Sequence, residues 1–193
     1  MTAKRDTRER LVHAAADLFW AEGYAGTSLA DIAAAAKVPT GNVFYHFRTK
    51  ADLAQAVGAL FTAATRETLA EIARDLHDPT HRIGRLLDLL AEATQSRVVR
   101  GCPLARGSRE FPKVADGSGS ASEPFALMIE WLARELVATG RDAGIAASLA
   151  RGAIARWQGA IVLAHGFGDG AMLTGEIEAI RRDLVGFPVQ PDD

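Results

Sequence analysis

The chain is short of several things, and each shortage excludes something. It has one cysteine, Cys102, in 193 residues. A single thiol closes no internal disulfide and builds no multi-cysteine zinc site. No run approaches the ~18 apolar residues that read as a membrane span; the stretch around Ala160 to Ala164 is far too short. The first residues, Met1 to Arg8, are charged and lack the apolar stretch of a secretion signal. A cytoplasmic protein with no membrane partner is expected. There is no Ser-His-Asp or Cys-His signature, no phosphate-cradling glycine loop and no recognisable pair of carboxylates. An enzyme is therefore not expected, nor a metal or cofactor. His77 and His81 are four apart, but Pro79 breaks any helix that would align them. A charge excess is missing too. The 22 basic and 24 acidic side chains leave a formal −2, whereas nucleic-acid binders usually show a basic domain with pI above about 9.

What the sequence does have is a helical period. Apolar residues make up 48% of the chain. Leu11, Ala15, Leu18 and Phe19 recur at helical spacing, as do Leu53, Val57, Leu60, Phe61 and Ala64. Phe125, Met128, Ile129, Leu132 and Leu136 repeat it, and so do Leu173, Ile177, Ile180 and Leu184. Alternating β-branched runs are absent. The expected fold is all-α, with about nine helices. Gly23 suits the left-handed position that ends a first helix. Ser28 with Asp31, and Thr49 with Asp52, have capping-box spacing. The second box opens a long helix to about Leu76, which His77-Asp78-Pro79 ends. Further helices are expected over about 80–95, from Gly101 onward, and over about 122–139, 142–166 and 170–185. Asp116 to Ser122 reads as a polar connection.

Residues 27–47, TSLADIAAAAKVPTGNVFYHF, read as a helix, a tight turn at Ala36-Lys37-Val38 and a second short helix. Ile32 and Val38 are spaced to pack the two together, and Ala33 and Ala36 are small enough to let them cross closely. This is the shape of a helix-turn-helix, whose second helix lies in the major groove. Residues about 8–55 resemble the DNA-binding domain of the tetracycline-repressor (TetR) family. The matching blocks are Phe19…Glu22-Gly23-Tyr24, Thr27-Ser28…Asp31-Ile32-Ala33, Val38-Pro39-Thr40-Gly41-Asn42-Val43-Phe44-Tyr45-His46-Phe47, and Lys50…Leu53. Phe44 stands where the family usually has Tyr, and Lys37 where it usually has Gly.

The resemblance implies a head at residues 1–50, a ligand-binding and dimerising domain at 51–187, and a frayed tail at 188–193. Pro39, tolerated at a helix start, leads into Thr40, Gly41 and Asn42, whose side chains can reach base edges. Asn pairs bidentately with adenine, a Thr methyl touches thymine, and Gly41 lets the helix backbone sit close to the groove. Thr27, beside Ser28 at a helix N-terminus, is expected to donate to a phosphate. The resemblance adds Tyr45, His46 and Lys50 as phosphate contacts. Lys4, Arg5, Arg8 and Arg10 form a basic first segment. Residues 1–55 carry seven basic and six acidic side chains and the remainder 15 and 18, so the asymmetry has the right sign but is weak.

The family resemblance further implies a homodimer on a palindromic duplex operator and release by an unknown small-molecule effector. Phe61, Cys102, Phe111, Phe125, Met128, Trp131 and Trp157 are the expected lining of the effector site, since aromatic and Met side chains suit apolar pockets. Gly159, Ile161, Leu173, Ile177, Ile180 and Leu184 are the expected dimer face. Gly101-Cys102-Pro103-Leu104 resembles a motif in a TetR subset, some of whose members sense electrophiles or oxidants through the cysteine. Two readings of Cys102 follow: a reactive sensor, or a small buried packing residue.

Overall fold

The computed structural model describes residues 2–113 and 120–186, with side chains from residue 7 onward. Lys4 and Arg5, most of the polar connection after Asp116 and the tail 188–193 lie outside the described side chains. Among the described residues all regular structure is helical. The elements are α1 (Thr2–Ala21), α2 (Gly23–Gly26), α3 (Leu29–Ala35), α4 (Thr40–His46), α5 (Lys50–Asp75) and α6 (Pro79–Glu92). Then come α7 (Thr94–Arg100), α8 (Pro103–Glu110), α9 (Glu123–Ala138), α10 (Ala143–Phe167) and α11 (Gly170–Val185). The all-α expectation holds. Two short helices were not expected. α2 is a single turn after Gly23, and α7 continues past Ala93, where φ −82° and ψ 0° barely deflect the chain.

The caps explain most boundaries. Asp78 accepts from the His81 N–H with Pro79 at the first turn of α6, where a missing N–H costs nothing. Asp142 accepts from the N–H groups of Gly144 and Ile145 at the start of α10. At the far end of α11 the Arg141 guanidinium donates to the Leu184 carbonyl at 2.7 Å, satisfying an acceptor that the helix leaves open.

The chain divides into two compact units: Met1–Ala64 with Pro103–Pro124, and Thr65–Cys102 with Phe125–Asp193. The division expected at residue 50 follows the motif, whereas packing follows contacts. Leu60, Phe61 and Phe111 all pack against the core of the first unit. That core joins Leu11, Val12, Ala15 and Phe19 of α1 to Ile32, Ala33, Val43, Phe47, Leu53 and Val57.

The second unit is built on α10 and α11, with α6 and α7 packed against them. Small residues on α10 (Ala146, Ala150, Ala153, Ala160 and Ala164) are buried beside Ile154, Trp157 and Ile161. Ile83, Leu86 and Leu87 of α6 and Met128, Trp131, Leu132 and Leu136 of α9 are also buried. Glu135, 8% exposed, is matched by Arg82 at 3.3 Å. The same guanidinium donates to the Ala73 and Leu76 carbonyls at the end of α5.

Candidate nucleic-acid interface

The site is assembled from α3, the turn after it and α4. Both halves of the first capping box are formed. The Asp31 N–H donates to Ser28 Oγ, and the Ser28 N–H donates to Asp31 Oδ2 at 2.9 Å. Donation from the Ser28 hydroxyl and then its N–H holds the Asp31 carboxyl below the usual carboxylate range. The box at Thr49 and Asp52 is likewise complete.

The turn between the helices runs through Lys37, which has φ +54° and is the one non-glycine residue with positive φ among those described. This is the position where Lys37 replaces the family's usual glycine. The left-handed region costs an L side chain roughly 1–2 kcal/mol, and the neighbouring groups offset it. The Val38 N–H donates to the Ala33 carbonyl at 2.9 Å. From α1, Arg10 Nη2 donates to the carbonyls of Ala36 and Lys37. Arg10 therefore secures the turn from the first helix, while the Arg8 guanidinium sits 5.1 Å from the Phe47 ring centroid.

α4 is anchored by one face. Val43 is fully buried, Phe47 nearly so, and Ile32 and Ala33 of α3 lie in the same core. Helical geometry then turns the remaining residues outward. Pro39, Thr40, Gly41 and Asn42 are exposed. Phe44 and Tyr45 are 56% and 68% exposed. His46 is half-buried, its ring edge-on to Tyr45 with centroids 5.2 Å apart. A Cβ built on Gly41 would meet nothing within 4 Å. The outer face thus offers an amide, a hydroxyl with its methyl, a phenol and bare backbone, a set able to contact base edges and phosphates. Phe44 belongs to this face although its residue type did not single it out. The signal was its place one residue after Val43, about 100° around the helix and so to one side of the core stripe of Val43 and Phe47.

One expected contact is corrected, and another has a role inside the head. Thr27 is 1% exposed, and its hydroxyl donates to the Gly23 carbonyl at 2.8 Å. A buried, committed hydroxyl proton has no reach to a phosphate. Lys50 Nζ donates to the carbonyls of Tyr24 and Thr27 at 2.7 and 2.9 Å and stands 4.3 Å from the Tyr24 ring centroid. Two of the three N–H groups of its ammonium thus brace the head from within.

The expected effector-site residues are distributed over both compact units. Phe61 and Phe111 belong to the first compact unit, and Cys102, Phe125, Met128, Trp131 and Trp157 to the second. Phe111 packs edge-on to Phe19 and also faces Tyr24, with centroids 5.4 and 6.0 Å away. Cys102 is 6% exposed and accepts from Gln158 Nε2 at 3.4 Å. In the first unit a cavity of about 250 Å³ is lined by Ala54, Gln55, Gly107 and Phe111 among others. In the second, one of about 270 Å³ is lined by residues such as Ile72, Leu76, Arg85 and Leu89. Of the expected lining, Phe111 alone borders either one. No group of three or more metal-ligating side chains occurs among the described residues.

The dimer-face residues also need correction. Ile161, Leu173, Ile177, Ile180 and Leu184 are all at most 2% exposed within a single chain. Their stripe is the face on which α10, α11 and α6 pack together, so it has no surface left for a second copy. Gly159 is exposed. Beside it Val162, Leu163 and Phe167 are 67%, 49% and 72% exposed on α10, and Met172 is 38% exposed on α11.

Comparison with known proteins meets this geometry at the same place. Residues 11–57 match the family model for bacterial regulatory proteins of the tetR family. The HTH-type transcriptional repressor Rv3405c of Mycobacterium tuberculosis is 36% identical over 116 residues, which cover 60% of this chain and 58% of that protein. The chain thus spans little more than half the length of that relative. The HTH-type transcriptional repressor DhaR of Mycobacterium sp. (strain GP1) is 27% identical over 168 residues, 83% of each chain. A TetR transcriptional regulator from Legionella pneumophila has the same fold with a TM-score of 0.79 and 28% identity, covering 91% of this chain and 96% of its own. The sequence match runs from within α1 into the start of α5 and the structural match nearly the whole length, so residues 11–57 are similar to the tetR-family model and the chain has the fold of a solved TetR regulator.

Proposed function

We propose that the chain is a homodimeric, ligand-responsive transcriptional regulator that represses by binding a palindromic duplex operator. The observation that carries this reading is the outer face of α4: Thr40, Gly41, Asn42 and Tyr45 stand exposed on a helix anchored by buried Val43 and Phe47. Pro39 and His46, at the two ends of α4, and the exposed cap Ser28 of α3 are assigned to backbone contact. The names of the two mycobacterial relatives, both repressors, support the direction of control. A helix-turn-helix reads few base pairs, and a twofold dimer reads two half-sites about 34–36 Å apart.

The second copy is assigned to the exposed strip of Gly159, Val162, Leu163, Phe167 and Met172. This strip continues the α10–α11 pair on its open side. A small-molecule effector would act by binding more tightly to the conformation whose head spacing misses the operator, since only differential affinity shifts a population. α5 is the candidate for carrying that change, because its residues belong to both compact units.

The alternative, an electrophile sensor working through Cys102, is less well supported: the thiol is buried, and reactive cysteines are partly exposed. The test is a mobility shift with the DNA upstream of the chain's own gene at moderate salt. A discrete complex that resists competition by random duplex is expected. Loss of the complex to an equal mass of random duplex contradicts the proposal.

A further inference from the structure

A salt-bridged pair from late in the sequence sits on the end of α1. Arg106 Nη1 donates to the Trp20 carbonyl at 2.7 Å and reaches the Ala21 carbonyl at 3.4 Å. Its Nε donates to Glu110 Oε1 at 3.0 Å, and Glu110 Oε2 accepts the Tyr24 N–H at 2.8 Å. The cation thus meets the carbonyl end of α1, where the helix dipole favours positive charge. The carboxylate takes a backbone donor just past the helix. Between them lies Gly23 at φ +86°; a Cβ there would come within 2.8 Å of Arg106 Nη2 and 2.9 Å of Glu110 Oε2. Glycine is required twice over, by the backbone conformation and by the pair.

The network continues toward α3. The Tyr24 carbonyl accepts from Lys50 Nζ, which also holds the Thr27 carbonyl. The Thr27 hydroxyl closes back on Gly23. Ser28, the cap of α3, follows immediately. The chain path from α1 into the first helix of the helix-turn-helix is therefore set by side chains of α8 and α5.

We infer that Arg106 and Glu110 are positioning residues for DNA binding: they fix the turn that places α3 and α4, without themselves facing DNA. The head is then not self-sufficient; it needs α8, some 80 residues away in sequence, to hold its reading geometry.

The inference rests on the DNA-binding reading, and its test separates the two. Operator binding by the full-length chain is measured over a range of salt for the wild type, Arg106→Gln, Glu110→Ala and Glu110→Gln. Amide exchange at Tyr24 and thermal melting are followed alongside. Glu110→Ala is expected to weaken operator binding about tenfold, the loss of roughly one charge-assisted hydrogen bond, and to speed exchange at the Tyr24 amide. Its melt should still leave the chain folded at the assay temperature. Glu110→Gln keeps an acceptor and should recover most of the affinity. Arg106→Gln should weaken binding with an unchanged slope of log affinity against log salt, since no phosphate contact is lost. Wild-type affinity in Glu110→Ala, no advantage of Gln over Ala, or a slope smaller by about one unit in Arg106→Gln would overturn the inference. A wild type that binds no DNA specifically would sink the DNA-binding reading with it.

Discussion

Asn42 and Lys50 lie eight residues apart, yet their surroundings give them opposite work. Asn42 is exposed on α4, and its backbone N–H donates to the Pro39 carbonyl at 2.8 Å. Lys50 is half-buried and its ammonium is held by two carbonyls. The two substitutions should therefore separate. Asn42→Ala should leave urea stability unchanged and cost about 1–3 kcal/mol of discrimination at one base pair. Lys50→Met should lower urea stability by about 1–3 kcal/mol and leave base preference intact. Operator variants and urea melts measure both. If Asn42→Ala ranks the variants as the wild type does, Asn42 is not a base reader. Sequence alone could not separate these roles: residue type offers both as contacts, and the Tyr24 and Thr27 carbonyls that claim Lys50 are more than 20 residues away.

Element boundaries were legible because their causes are local. The boxes at Ser28–Asp31 and Thr49–Asp52 and the break before Pro79 each act within four residues, and each is formed. α7 was not legible: Thr94 to Arg100 has no buried residue and so no apolar stripe to read. The stripe of Leu173, Ile177, Ile180 and Leu184 marks α11 plainly, but period alone cannot say whether its partner is the same chain or a second copy. Burial decides for the same chain. Ile177→Ala should thus cost about 2–5 kcal/mol of stability, as cavity-forming core substitutions do. Val162→Arg, at an open position on α10, should leave the melt nearly unchanged and convert dimer to monomer in sedimentation at micromolar concentration. A Val162→Arg chain that still sediments as a dimer would move the interface elsewhere.

At the scale of the whole molecule, the missing basic charge becomes informative. Residues 1–55 are close to neutral, and Arg8, Arg10 and Lys50 make contacts inside the head. Nonspecific attraction to phosphates should be weak, and on the proposed reading specificity would rest on a few side chains of α4, used twice by symmetry. The helix-turn-helix was readable from one segment. An effector lining is less legible in a sequence, because it depends on tertiary packing that spacing does not encode. The measurement that bears most directly on the central claim is a hydroxyl-radical footprint of the full-length chain on the DNA flanking its own gene, at about 0.15 M salt. Two protected patches, related by a palindrome and centred about one helical turn or a whole multiple of it apart, are predicted. A single unpaired patch, or uniform protection along the fragment, would contradict the account.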